Sequence, residues 1–119
     1  MSGSSREAFY HVVDETDPNE PAFVGTYQPT AHTAGPWSPV LQHAGPPSAL
    51  LARAVSRLGL GPPVAHLARV AIEVLAPVPV ATLRVEARSV RPGRKVNLCE
   101  ALLVPDGSPE PVMRMSAWR

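Results

Sequence analysis

The 119-residue sequence contains a single cysteine, and two each of phenylalanine, tyrosine and tryptophan. Each scarcity excludes something. Cys99 alone cannot close an internal disulfide, and no Cys/His spacing suits a zinc site, so neither staple holds this chain together. Cys99 reads as a small buried hydrophobe in a strand. His11, His32 and His66 are not clustered, and no metal is assigned to them. The chain has no run of about 18 apolar residues of the kind that spans a bilayer. Met1 to Arg6 lacks the basic-then-apolar order of a secretory leader. The expectation is a cytoplasmic protein that does not engage a membrane. Eleven Lys+Arg face ten Asp+Glu with no block of like charge, so composition makes no case for a nucleic-acid partner. Between Glu20 and Glu73 there is no carboxylate at all.

Apolar material is ample: 45% of residues are hydrophobic and 18% charged, enough for the core of one small domain over residues 1–119, with residues 1–7 expected to be disordered. Fifteen residues are proline, well above the usual roughly 5%. Proline fixes φ and removes a donor, so it marks where helices and central strands cannot run. The proline-free windows 1–17, 48–61, 64–76, 80–91, 93–104 and 112–119 are therefore the candidate elements. From Pro18 to Pro47 prolines recur every few residues, which predicts ordered loop or edge strand.

In Ser48 to Leu58, the residues Leu50, Leu51, Ala54, Val55 and Leu58 fall on one stripe of helical period, leaving Arg53 and Ser56 off it. Pro46 and Pro47 suit the first turn, Gly59 and Gly61 the end, and Arg57 complements the negative end of the dipole. In Ala81 to Val90 the period is two, with Leu83, Val85 and Ala87 alternating with Arg84, Glu86 and Arg88. Val64 to Val74 is apolar on both faces and predicts a central strand. Reversals at Pro77-Val78-Pro79, Arg91-Pro92-Gly93-Arg94 and Pro105-Asp106-Gly107 would join four strands into an antiparallel meander, and a strand near Phe9 to Val13 would complete the sheet.

Three segments carry a resemblance: Tyr27-Gln28-Pro29-Thr30; Gly35-Pro36-Trp37-Ser38; and Gln42-His43-Ala44-Gly45-Pro46-Pro47 running into Ala49 to Ala54. With Val70 to Pro79 and Val90 to Lys95, they make the chain similar, from about Phe23 to Trp118, to the amino-terminal unit of thioesterase-like proteins related to acyl-CoA thioesterase II. The resemblance implies an α+β hot-dog fold, an antiparallel sheet wrapped around one long central helix, handling fatty acyl thioesters of coenzyme A. It implies no cofactor beyond the coenzyme A of the substrate. Full-length relatives fuse two such units, and the best-characterised ones hydrolyse the thioester with an Asp, a Thr and a Gln of the second. This chain lacks that set. Its helix has no carboxylate, His66 and Leu67 stand where the Thr belongs, and Met115 and Ser116 where the Gln belongs. The implied active site is completed by a second hot-dog unit, a homodimer mate or another chain; the alternative is a non-catalytic acyl-CoA-binding or structural subunit. Asp17-Pro18-Asn19-Glu20-Pro21 resembles an element of hot-dog hydratases but lacks the required His, and it reads as an acidic loop.

The candidate chemistry lies at the helix entrance. There Gly45 would donate its N–H to a thioester carbonyl, and His43 or Gln42 would shape the pocket or order a water. His43 could equally serve only to anchor the helix entry. Arg84, Arg88, Arg91, Arg94 and Lys95 place five cations within twelve residues. Of these, Arg91, Arg94 and Lys95 are candidates for the phosphates of coenzyme A, or form a charged hairpin tip that blunts edge pairing. Trp37, in its proline-bracketed loop, is a candidate for lining an acyl channel or for capping the core.

Overall fold

The computed structural model describes residues 8–16, 22–58, 67–91, 93 and 96–119. The strands are β1 (Tyr10–Glu15), β2 (Ala22–Pro29), β3 (Ala34–Gly35), β4 (Ser38–Gln42), β5 (Arg69–Val74), β6 (Leu83–Arg91), β7 (Leu98–Pro105) and β8 (Met113–Trp118). One α-helix, α1 (Gly45–Ser56), lies between β4 and β5, and a 3-10 turn, Ala31–Thr33, precedes β3. Six strands form one antiparallel sheet in the order β1-β2-β6-β7-β8-β5, and β3 and β4 form a separate hairpin.

Strict alternation in the strands builds the core. Phe23 and Tyr27 of β2, Leu83 and Val85 of β6, Ala101 and Leu103 of β7, and Met113 and Met115 of β8 are each no more than 1% exposed. They share one face of the sheet, and Leu51, Ala54 and Val55 of α1 pack onto it. This is the hot-dog arrangement, one helix held in a curved antiparallel sheet. Cys99 is fully buried on the same face, the small buried hydrophobe in a strand that was expected, and burial pushes its thiol pKa up. Among the described residues, no helix is long and apolar enough to cross a membrane.

Three expectations need correction. The proline-dense stretch was expected to yield only loop or edge strand, yet β2 runs for eight residues in the sheet interior between β1 and β6. The prolines spare it because Pro29 stands at its last position, where a missing N–H costs little. Val64 to Val74 was expected to be a central strand. Its described part, β5, is the sheet edge, and all six residues are exposed. A two-sided apolar pattern signals cover on both faces, and among the described residues β5 does not receive it. The meander, finally, holds only for β6, β7 and β8. β5 pairs with β8 rather than β6, because the chain from Leu75 to Thr82 crosses the sheet instead of reversing. Pro77 and Pro79 cannot make a tight hairpin, and β4 holds the crossing segment: Gln42 N–H donates to Val78 O (2.7 Å) and Val80 N–H to Val40 O (2.8 Å).

The helix forms where expected and begins earlier, at Gly45, with Pro46 and Pro47 buried in its first turn. Gly107, in the expected turn after β7, adopts φ +81°, a conformation glycine reaches without strain. Residues 1–7, the 17–21 loop, Gly59, Gly61, Val64 to His66, Pro92, Arg94 and Lys95 lie outside the described residues.

Candidate active site at the helix entrance

Helix α1 opens without a side-chain cap and without an acidic residue in its first turn. Pro46 and Pro47 carry no N–H, so among the first three helical positions only Gly45 offers a backbone donor. The positive end of the helix dipole is thus concentrated on one group and not neutralised by a local carboxylate. Ser48 closes the turn, its N–H and Oγ both donating to Ala44 O at 3.1 and 2.6 Å.

His43 stands against this opening. Its backbone N–H donates to Thr33 O (3.0 Å), and its exposed imidazole lies over the bare side of Gly45. A Cβ at position 45 would meet His43 Cε1 at 3.1 Å and Nδ1 at 3.2 Å, so any larger residue would push the ring away from the helix end. Gln42 is occupied otherwise. Its Nε2 donates to Pro79 O (2.8 Å) and its Oε1 accepts from Tyr10 Oη (2.5 Å), which ties β4 to the crossing segment and to β1. With both amide groups engaged, Gln42 frames the site rather than presenting a free group to it.

Between α1 and the start of β1 runs an apolar cleft of about 350 Å³. His43 and Gly45 lie at one end along the helix, Phe9, Tyr10, Pro46, Ala49 and Leu50 form the walls, and Arg53 stands at the other end. There a second hollow of about 220 Å³ continues between Val12, Tyr27 and Leu50. Tyr10 and Tyr27 meet edge to face with ring centroids 6.5 Å apart.

Arg53 belongs to a charged cluster that local sequence patterns did not reveal. Glu15, at the end of β1, accepts from Arg53 Nη1 (2.7 Å) and Tyr27 Oη (3.0 Å), and Arg57 Nη2 lies 3.9 Å away. Burial alone would raise the Glu15 carboxyl pKa. The hydrogen bonds from Arg53 and Tyr27 and the charges of Arg53 and Arg57 outweigh it and hold the carboxyl below its ordinary range. Burial first, and Glu15 next, push the Tyr27 phenol up to about 12. A carboxylate held ionised in this way is a poor proton acceptor for catalysis. The helical spacing of Arg53 and Arg57 was readable, but the partner Glu15 comes from 38 residues earlier and depends on sheet register.

The other candidates are dispersed. Trp37 sits at the tip of the β3–β4 hairpin, 90% exposed, and does not line the cleft. A channel wall or core cap needs contact on several sides, which a two-residue turn tip projecting from the fold does not supply. Of the five clustered cations, Arg84 pairs with Glu86 (2.7 Å) and Arg88 with Glu100 of β7 (3.3 Å). Arg91 lies exposed at the end of β6 with no ion pair among the described residues. Among those residues there is also no group of His, Cys, Asp and Glu placed to hold a metal.

Comparison with known proteins bears on the fold first. A phenylacetic acid degradation-related protein of Ralstonia eutropha JMP134 superposes with a TM-score of 0.75 at 20% identity, over 99% of this chain and 89% of that one. The PaaI protein of Escherichia coli, from the phenylacetic acid degradation operon, gives 0.75 at 16% identity over 98% and 83%. A Streptococcus mutans protein bound to acetyl CoA gives 0.77 at 14% identity over 92% and 85%. At such identities the likeness is one of fold. No curated protein sequence matches the chain. A family model does, over residues 33–119, from the 3-10 turn through the helix entrance to the last strand, and the chain therefore belongs to the acyl-CoA thioesterase N-terminal domain family.

Proposed function

We propose that this chain is an acyl-CoA-binding hot-dog unit that hydrolyses fatty acyl thioesters together with a second hot-dog unit. The observation that carries the reading is the apolar cleft ending on an uncapped helix N-terminus with a single N–H donor. The acyl chain lies along α1, the thioester carbonyl accepts from Gly45 N–H, and His43 flanks it. Arg91, Arg94 and Lys95 take the coenzyme A phosphates. The base comes from elsewhere, since the carboxylate beside the cleft, Glu15, is neutralised by Arg53. That same fact favours a second reading, a subunit that binds acyl-CoA without turning it over.

The second unit docks on β5. Val70, Ile72 and Val74 pair with Ala117, Met115 and Met113 and so face the helix side of the sheet, yet remain 41, 41 and 56% exposed. Among the described residues their strand offers one unpaired row of N–H and C=O groups in unbroken register. A second copy of this chain, joined strand to strand, covers both.

Titration with a non-hydrolysable acyl-CoA tests the binding half. Affinity should fall as salt rises, and Arg94→Ala should cost about 1.5–3 kcal/mol, the loss of a charge-assisted hydrogen bond. Equal affinities for wild type and variant would make the cluster a solvated hairpin tip.

A further inference from the structure

The cleft beside α1 is apolar along its length and charged where it ends. Arg53 follows Gly45 by eight residues on one helix, about 12 Å along the axis, the span of an extended medium-length acyl chain. Arg57 follows one turn later. Among the described residues one carboxylate, Glu15, pairs with either of them, so two guanidinium groups share a single negative charge. Their hydrogen bonding is incomplete as well. Among the described residues Arg53 spends Nη1 on both Glu15 and Tyr27, and Arg57 Nε is buried with no hydrogen-bond partner.

An acyl chain ending in a methyl group would bring apolar carbon against this surplus charge and strip its water without compensation. A chain ending in a carboxylate would supply the missing anion in the planar, two-pronged geometry guanidinium favours. We propose that the cleft selects acyl groups with a carboxylate at the far end, making ω-carboxyacyl thioesters of coenzyme A the preferred ligands and Arg53 the residue that determines the preference. This rests on the acyl-CoA reading above and names its substrate class.

Two thioether analogues of coenzyme A test it, both with ten-carbon chains, one ending in methyl and one in carboxylate. They are titrated against the full chain alongside free coenzyme A. The carboxylate analogue should bind at least tenfold more tightly than the methyl analogue, Arg53→Met should erase the difference, and Arg53→Lys should keep part of it. The wild-type comparison needs no variant, so it stands even if Arg53→Met folds poorly. A methyl analogue that binds as tightly as the carboxylate one, and both better than free coenzyme A, would overturn this inference and leave the acyl cleft intact. If neither analogue outbinds free coenzyme A, the acyl cleft falls too.

Discussion

The two edges of the main sheet are built to different ends. At the β1 edge, Tyr10 reaches Gln42, Glu15 reaches Arg53 and Tyr27, and the register with β2 slips between Val12 and Asp14, leaving Val13 as an extra residue. Such a bulge twists an edge and spoils it as a template for another strand. At the β5 edge the six residues pair with β8 without a slip. Its side-chain bonds among the described residues amount to the exposed Glu73–Arg114 pair (2.6 Å). Polar ties at β1 close one side of a cleft, whereas regularity and bare apolar side chains at β5 invite a partner. On the proposed reading, the ligand site and the association site lie on opposite edges of one sheet.

The largest effect should come from breaking the β5 edge. Ile72→Asp should weaken self-association about 100-fold or more, turning a dimer at micromolar concentration into a monomer by light scattering while far-UV circular dichroism stays unchanged. Val13→Asp, on the bulged edge, should leave the dimer in place. The reverse outcome would exchange the roles of the two edges.

Glu15→Gln should reduce folding stability by about 1 kcal/mol near neutral pH, a figure kept low because the Arg53 side chain is 39% exposed and its ion pair is screened. The pH dependence has a definite sign. The Glu15 carboxyl is held below its unfolded value, so its contribution is complete above the unfolded pKa, roughly pH 4, and disappears as pH falls through the lower folded one. Urea melts of wild type and Glu15→Gln should therefore converge in acid and separate above about pH 5. A gap that persists unchanged at low pH would mean the variant acts through packing.

Tyr27→Phe should have a smaller effect, about 0.5–1 kcal/mol, because Glu15 keeps Arg53 when it loses the phenol. Thermal melts resolve this. A loss larger than that of Glu15→Gln would show that the phenol, and not the ion pair, closes the β1 edge.

Much of this was legible in the residues, and the gaps have physical causes. The stripe from Leu50 to Leu58 is a local period, and α1 forms on it. The alternation from Leu83 to Ala87 is equally local and yields β6 with those residues buried. Proline counting does not find β2 because it treats a strand-terminal Pro29 like an internal one. Apolar character on two faces points to a central strand because it looks the same whether the cover comes from the chain itself or from outside it. At the site, His43 and Gly45 were identified from the helix entrance, and the structure brings them together. Glu15 and Arg53 were not identified, because nothing near either residue encodes the strand register that makes them meet.

The proposed division of labour, in which this chain binds and another unit supplies the base, is tested most directly by steady-state hydrolysis of acyl-CoA thioesters of several chain lengths by the purified 119-residue chain and its His43→Ala variant. An absent base usually costs about 10²–10⁴ in rate. The chain alone should hydrolyse these substrates poorly or not at all, with His43→Ala changing any residual rate less than tenfold. Robust turnover abolished by His43→Ala would contradict the account and make His43 the base.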